Sequence, residues 1–357
     1  MKDKQKGKLI CKILAGILGM ILLLCLSVYF TLHSYYIKMN TVNSKRETEW
    51  ISVSQNEEKQ EQTEDALETE TMELFGDERV FNILLIGYDE REGVGGKRSD
   101  SMILLSINRD SKELIATSIM RDIYVEIPGH GSNRINAAYA YGGEELLVKT
   151  IEQNFRIKIN RYVSVDFFVF IDIVDKLGGV EIEVKDEEVE TMNGYINDLN
   201  FLLVNFKDTD CLSEGGMYLL NGKQALAYSR IRYVGDADFE RTKRQRRVLE
   251  QIFYKIKECN LTEMNELLEV LLPEVTTDLT EGEVISLMLN MNTYKKYALV
   301  EHRIPYDGTY SFRRIEGMAV LGIDLEENIR MMKRDIYKQD EYIPAAVFGI
   351  KYPRKNG

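Results

Sequence analysis

The chain has 357 residues, with 46 lysines and arginines against 58 aspartates and glutamates, a formal charge of −12. That balance excludes a general nucleic-acid binder, whose footprint is basic, and makes any local cluster of positive charge informative. Hydrophobic residues at 44% and aromatics at 10% suffice for a sizeable core, in one large domain with appendages or in two. His33, His130 and His302 show no ligand spacing with one another or with the four cysteines, which argues against a zinc site. Cys211 and Cys259 are the only pair available to a folded outer domain, and whether they join is open at this level.

Lys2, Lys4, Lys6 and Lys8 precede 20 uncharged residues from Ile13 to Leu32. A helix of that length spans a hydrocarbon core of roughly 30 Å. The lysines favour a cytoplasmic N-terminus, so the expected order is a cytoplasmic tail (1–12), a single transmembrane helix (13–33) and an extracellular remainder at the cell membrane. Tyr29, Phe30, Tyr35 and Tyr36 sit where an interfacial aromatic belt would be. The apolar run exceeds a signal-peptide core and has no small-x-small site after it, which favours an uncleaved anchor. Residues 34–79 read as a flexible acidic tether. The stretch from Asn56 to Glu70 has no aromatic residue and one leucine, too little apolar area to offset its ordering entropy.

The folded part is expected over 80–340. Phe81 to Gly87, Met102 to Ile107 and Leu114 to Met120 are near-continuous apolar runs, the mark of strands buried on both faces. In Gly143 to Phe155, Leu147, Ile151 and Phe155 fall on one helix face; Phe167 to Leu177 repeats the pattern and stops at Gly178-Gly179; Val180 to Val184 is a strand pattern. Leu261 to Leu272, Glu281 to Met291, Tyr297 to Arg303 and Leu325 to Tyr337 read as helix, helix, strand, helix. The prediction is an α/β (α+β) domain: a mixed central sheet with helices on both faces. Residues 341–357 form a C-terminal tail without a reading.

Arginines gather where strands should end. Arg91 follows the first strand, Arg98 precedes the second, and Arg121 follows the third. Ligand crevices of layered folds lie at such ends. Arg230 to Arg247 then holds seven basic residues and three acidic ones. Arg230 and Arg232 would point the same way on a strand, and Arg241 and Arg244 would share a helix face. Guanidinium forks bind phosphate oxygens with paired hydrogen bonds, so Arg91, Arg98, Arg121, Arg230, Arg232, Arg241 and Arg244 together suit a diphosphate. Arg246 and Arg247 fit a solvated helix face equally well. Asp89 and Asp100, among these arginines, suit Mg²⁺ beside a phosphate or ordinary turn and capping roles. Val165 to Val174 and Leu219 to Leu226 are apolar enough to line a slot for a lipid tail, or to be plain core.

The chain resembles the LytR-CpsA-Psr family of cell-wall ligases, from about Phe81 to Tyr337. The resemblance rests on motifs in order. They begin with Asn82-Ile-Leu-Leu-Ile-Gly-Tyr-Asp89 with Arg91, Arg98-Ser-Asp-Ser-Met102, and Arg121-Asp-Ile-Tyr-Val-Glu-Ile-Pro128. Arg134-Ile-Asn-Ala-Ala-Tyr-Ala-Tyr-Gly-Gly143 and Asp175-Lys-Leu-Gly-Gly-Val180 follow. Leu220-Asn-Gly-Lys-Gln-Ala-Leu-Ala-Tyr228, Arg230-Ile-Arg232 and Asp238-Phe-Glu-Arg-Thr-Lys-Arg-Gln245 complete the set.

The resemblance implies transfer of a glycopolymer, of teichoic acid or capsular polysaccharide type, from a polyprenyl diphosphate donor to a peptidoglycan acceptor, leaving a phosphodiester. It implies that Asp89 and Asp100 hold Mg²⁺, that Arg91, Arg98, Arg121, Arg230, Arg232, Arg241 and Gln245 cradle the diphosphate, and that Asp238 is the general base. Arg230 and Arg241 thereby join Asp238 in the catalytic set. Tyr88 and Glu90 depart from the family pattern, which has threonine and serine there. A non-catalytic envelope binding or regulatory protein, and a polyprenyl-diphosphate hydrolase, are the alternatives. The binder needs the arginines but not the base, and the hydrolase differs only in using water as acceptor. The polymer, the acceptor hydroxyl and the oligomeric state are not legible.

Overall fold

The structure, a computed structural model, describes residues 26, 29–42, 74–89, 98–232, 234–235 and 238–338, without the side chains of Asp89, Arg98, Asp238 and Leu261. The predicted tail at 1–12, most of the membrane helix at 13–33, the tether from 43 to 73, Arg91 and the tail 341–357 lie outside the described residues. Among the described residues no helix is long and apolar enough to cross a membrane.

Among the described residues seven strands make one mixed sheet, in the order β1 (Asn40–Thr41), β10 (Thr276–Thr277), β7 (Arg161–Asp166), β2 (Val80–Asp89), β3 (Arg98–Asn108), β4 (Glu113–Ile119) and β11 (Ala298–Ile304). β2, β3 and β4 form an antiparallel meander, with β7 parallel to β2 and β11 parallel to β4. One edge of the sheet therefore collects the C-terminal ends of β2, β4, β7 and β11 and the start of β3.

The strands read as unbroken apolar runs because both faces are covered. Leu84, Ile86, Met102, Leu104 and Ile115 pack against α1 (Ala137–Phe155) and α9 (Leu325–Tyr337). Ile83, Ile107 and Leu114, on the opposite side of the pleat, meet Phe253 of α5 (Asp238–Glu258) and Leu287 of α7 (Glu281–Leu289). α1 is kinked at Gly142–Gly143, and Gly143 sits at φ +63, a conformation that a side chain resists.

A second core joins α2 (Phe167–Lys176), the antiparallel pair β8 (Val180–Val184) and β9 (Gly216–Leu220), α3 (Asp186–Leu202) and α4 (Gly222–Arg230). α4 is well capped. The Asn221 side chain accepts from the Gln224 amide, and Gln224 returns the bond to the Asn221 amide. Gly222 lies so close to α2 that an added Cβ would come within 2.1 Å of the Ile171 carbonyl oxygen. Gly222→Ala must separate the two helices, an overpacking that costs about 1–3 kcal/mol. A clear fall in the urea midpoint is expected, and an unchanged midpoint would show that α2 yields freely.

Both ends of the predicted tether belong to the fold, which corrects the 34–79 boundary. Residues 29–36 are helical, and His33 meets Glu281 at 2.7 Å. Tyr35 and Lys38 bond to Asn265 and Glu269 of α6 (Leu261–Leu271). Asn40 and Val42 donate their amides to Val275 and Thr277, at 2.9 Å each. Met39 is buried among Leu272, Val275, Leu279 and Val284. At the other end, Phe75 exchanges backbone bonds with Arg156 and Lys158 and packs on the main core. Edge-strand pairing uses backbone groups that every residue carries, so no side-chain pattern announced it. Cys211 and Cys259 are free thiols.

Candidate active site

At the sheet edge where β2 ends, the ladder slips. Gly87 faces Ser101 and Tyr88 faces Ser99, so Asp100 is an extra residue on β3. A bulge of this kind re-aims a side chain beside a site. The Asp100 carboxylate, a quarter exposed, accepts from Nη1 of Arg121, which follows β4. Arg241 Nη2, from the first turns of α5, donates to the Asp100 backbone carbonyl at 3.2 Å and stands 4.0 Å from its Oδ2. Arg121 and Arg241 are both largely buried, with 14% and 5% of their side chains exposed. Two guanidiniums from distant parts of the chain thus converge on one carboxylate.

Arg230 closes α4, and its guanidinium lies 5.5 Å from the Tyr195 ring. Together with Arg241 and Gln245 it forms the polar end of an apolar cavity of about 280 Å³ between the sheet and helices α2, α4, α5 and α6. Along α5, Arg241, Gln245, Val248 and Ile252 recur at i, i+4, i+7 and i+11, so a single helix face carries both polar and apolar walls. Phe167, Phe170, Ile173 and Leu226 complete the apolar part, inside the two segments proposed from sequence. Leu219 is a correction: it is 60% exposed and outside the cavity. Val248, Leu249 and Ile252 were missed, although their spacing from Arg241 was a readable signal.

The other basic residues separate by role. Arg244 does not reach the site, and its inclusion in the diphosphate set is corrected. Its side chain is 2% exposed and pairs with Glu188, itself 1% exposed, at 2.7 Å. Its remaining nitrogens donate to the carbonyls of Ile231 at 3.1 Å and Val234 at 3.2 Å. Arg244 therefore braces the segment that follows Arg230. Arg232, partly exposed, is in that irregular segment rather than on a strand, so the alternation argued for it and Arg230 does not apply. Arg246 is not a solvated residue either: it lies 3.5 Å from Glu301. Arg247 donates to the Tyr228 hydroxyl at 3.1 Å. Burial pushes the Tyr228 hydroxyl above its usual pKa, against the opposing bond from Arg247.

Asp89 is the backbone partner of Arg98 at the end of the β2–β3 ladder, and Asp238 opens α5; their side chains lie outside the description, as does Arg98's. Among the described residues no group of three or more histidine, cysteine, aspartate or glutamate side chains could hold a metal alone. Mg²⁺ asks for less: one or two carboxylates, with phosphate oxygens and water for the rest. Asp100, re-aimed by its bulge and with Asp89 on the neighbouring strand, fits that sparse donor set.

The LytR_cpsA_psr family model matches residues 36–335. The chain belongs to this family. It is 36% identical over 229 residues to a polyisoprenyl-teichoic acid–peptidoglycan teichoic acid transferase TagU of Oceanobacillus iheyensis, covering 62% of this chain and 66% of that protein. It is 34% identical over 263 residues to the transferase TagT of Bacillus subtilis strain 168, covering 72% and 73%. It is also similar to the solved structure of the LytR-CPS2A-psr family protein YwtF (TagT) with bound octaprenyl pyrophosphate lipid. There the TM-score is 0.54 at 28% identity, over 73% of this chain and 91% of that one. Against the family pattern, Tyr88 is bulky. Its ring stacks on Tyr139 at 5.5 Å and packs on the main core, and it is not among the residues that line the cavity.

Proposed function

We propose that the protein transfers a phosphate-linked glycopolymer of the teichoic acid type from a polyprenyl diphosphate carrier to peptidoglycan. The observation that carries this reading is the apolar cavity with Arg230, Arg241 and Gln245 at its polar end, beside the Asp100–Arg121 pair. A prenyl tail needs dry, greasy walls, and a diphosphate needs converging guanidinium forks; the cavity supplies both in sequence. The relatives named as teichoic acid transferases, and the relative solved with octaprenyl pyrophosphate, support the same substrate class.

In this reading the acceptor hydroxyl attacks the phosphorus that bears the glycan. The bond from that phosphorus to the lipid phosphate breaks, and prenyl phosphate leaves into the arginine cradle. Asp238 takes the hydroxyl proton. Phosphoryl transfer needs little covalent help and much charge stabilisation, which Arg121, Arg230 and Arg241 provide by position. Arg91, Arg98, Arg232 and Gln245 extend the cradle. Mg²⁺ held by Asp89 and Asp100 would neutralise diphosphate charge. The apolar run at 13–33 anchors the chain with its N-terminus cytoplasmic and the domain outside. Because residues 29–42 dock on α6 and α7, and Leu271 of α6 lines the cavity, such an anchor would hold the membrane beside the lipid slot.

The test is to incubate the full-length protein with a polyprenyl-diphosphate saccharide, peptidoglycan fragments and either Mg²⁺ or chelator. Mass spectrometry should find a phosphodiester-linked product that is lost with chelator and in Asp238→Asn. Free saccharide phosphate regardless of acceptor would make the protein a hydrolase. Retained lipid without any product would make it a binding module.

A further inference from the structure

α5 has a second working face. Phe239, Lys243 and Arg246 lie roughly half a turn away from Arg241, Gln245 and Val248. They line a separate groove of about 770 Å³, whose far wall is the end of β11 and the hairpin of β12 (Tyr310–Ile315) and β13 (Met318–Ile323). Its floor is aromatic. The Phe239 ring lies 4.7 Å from Tyr310 and 6.0 Å from Phe312, and the Arg303 guanidinium stacks over Phe239 at 4.3 Å. Phe312 is 76% exposed, a ring held open to solvent on a hairpin strand. At the polar wall, Arg246 Nη1 and His302 Nε2 are buried and make no hydrogen bond among the described residues.

The cations here are already answered: Arg246 by Glu301 at 3.5 Å, Lys243 by Glu240 at 2.5 Å, and Arg303 by Asp307. A groove with paired charges and open rings does not select a polyanion such as a phosphate-linked donor chain. It suits pyranose rings, whose C–H faces stack on aromatics and whose hydroxyl and amide groups take hydrogen bonds. The reaction geometry points the same way. Attacking and leaving oxygens lie roughly in line across phosphorus. With the lipid phosphate leaving on the cavity side of α5, the nucleophile enters from another side, and this groove adjoins the N-terminal turn that Asp238 opens.

We propose that the Phe239–Tyr310–Phe312 groove is the acceptor site, binding the N-acetylhexosamine backbone of a peptidoglycan strand and presenting its hydroxyl to the first turn of α5. The assignment rests on the transferase reading. No redox step is involved: one P–O bond forms, one breaks, and the proton passes to Asp238.

The experiment uses full-length protein in nanodiscs and a soluble, lipid-free peptidoglycan oligosaccharide. Phe312→Ala, at an exposed position that spares the fold, should raise the KM for that acceptor about fivefold to tenfold, the weight of one stacking ring. The KM for the donor and the kcat at saturating acceptor should stay at parental values. Calorimetric titration of the oligosaccharide without donor should weaken by the same factor, and His302→Phe should repeat the effect. Unchanged acceptor KM and unchanged binding would overturn the proposal. A raised donor KM instead would assign the groove to the donor glycan, which also overturns it. If the parent protein transfers nothing, the transferase reading fails, and the titration alone then decides whether the groove binds glycan.

Discussion

Arg241→Lys is expected to cut transfer by about 10²–10³-fold, the loss seen when one preorganised donor to a developing anion is removed. Lysine keeps the charge but not the fork. The parent guanidinium spends Nη2 on the Asp100 carbonyl while standing at the polar end of the apolar cavity, and a single ammonium cannot meet both demands. The loss should fall on kcat/KM for the donor, with the acceptor KM unmoved. Thermal unfolding should shift by only a few degrees, since the replacement remains a cation next to Asp100. Transfer within a factor of three of the parent would remove Arg241 from the diphosphate site and leave it as a tie between α5 and β3.

Arg244→Met tests the opposite assignment. Arg244 and Glu188 are a buried pair, and deleting one partner of such a pair costs about 3–5 kcal/mol because the other charge is stranded. A large drop in the urea midpoint is therefore expected. Glu188 also accepts from the Lys185 amide through Oε2, as part of the cap of α3. Glu188→Gln preserves that bond while removing the charge, so Arg244→Met with Glu188→Gln should recover much of the stability. Transfer should stay low in the double variant, because the carbonyls of Ile231 and Val234 still lack their donors and the segment after Arg230 is unbraced. Full recovery of both stability and transfer would show that Arg244 serves only the second core.

Much of the fold was legible because its signals are local. The runs at 81–87, 102–107 and 114–120 became β2, β3 and β4, and the reading of both-face burial follows from the continuity of those runs. The predicted segments at 167–177, 180–184, 261–272 and 325–337 became α2, β8, α6 and α9 within a residue. The tether boundary failed at both ends for a related reason. Composition reports whether a segment can build its own core, and residues 34–42 and 74–79 need not, since they borrow one through edge pairing and a few rings.

The site was legible in its ingredients and not in its assembly. Residue type alone pointed to a diphosphate, because only guanidinium offers the fork, and a cluster of it in a chain of charge −12 has few other uses. Sequence also determined the family and the candidate arginines and carboxylates. Which arginines share a site could not follow from spacing. Arg241 and Arg244 are one helical turn apart, yet one lies at the cavity's polar end and against Asp100, while the other is sealed against Glu188. Their difference depends on what α3 and β3 bring to each side of α5, contacts that span 56 and 141 positions along the chain. Periodicity tells which residues share a helix face. Only the packing of distant elements against that face decides whether a charge meets a partner, a ligand or water.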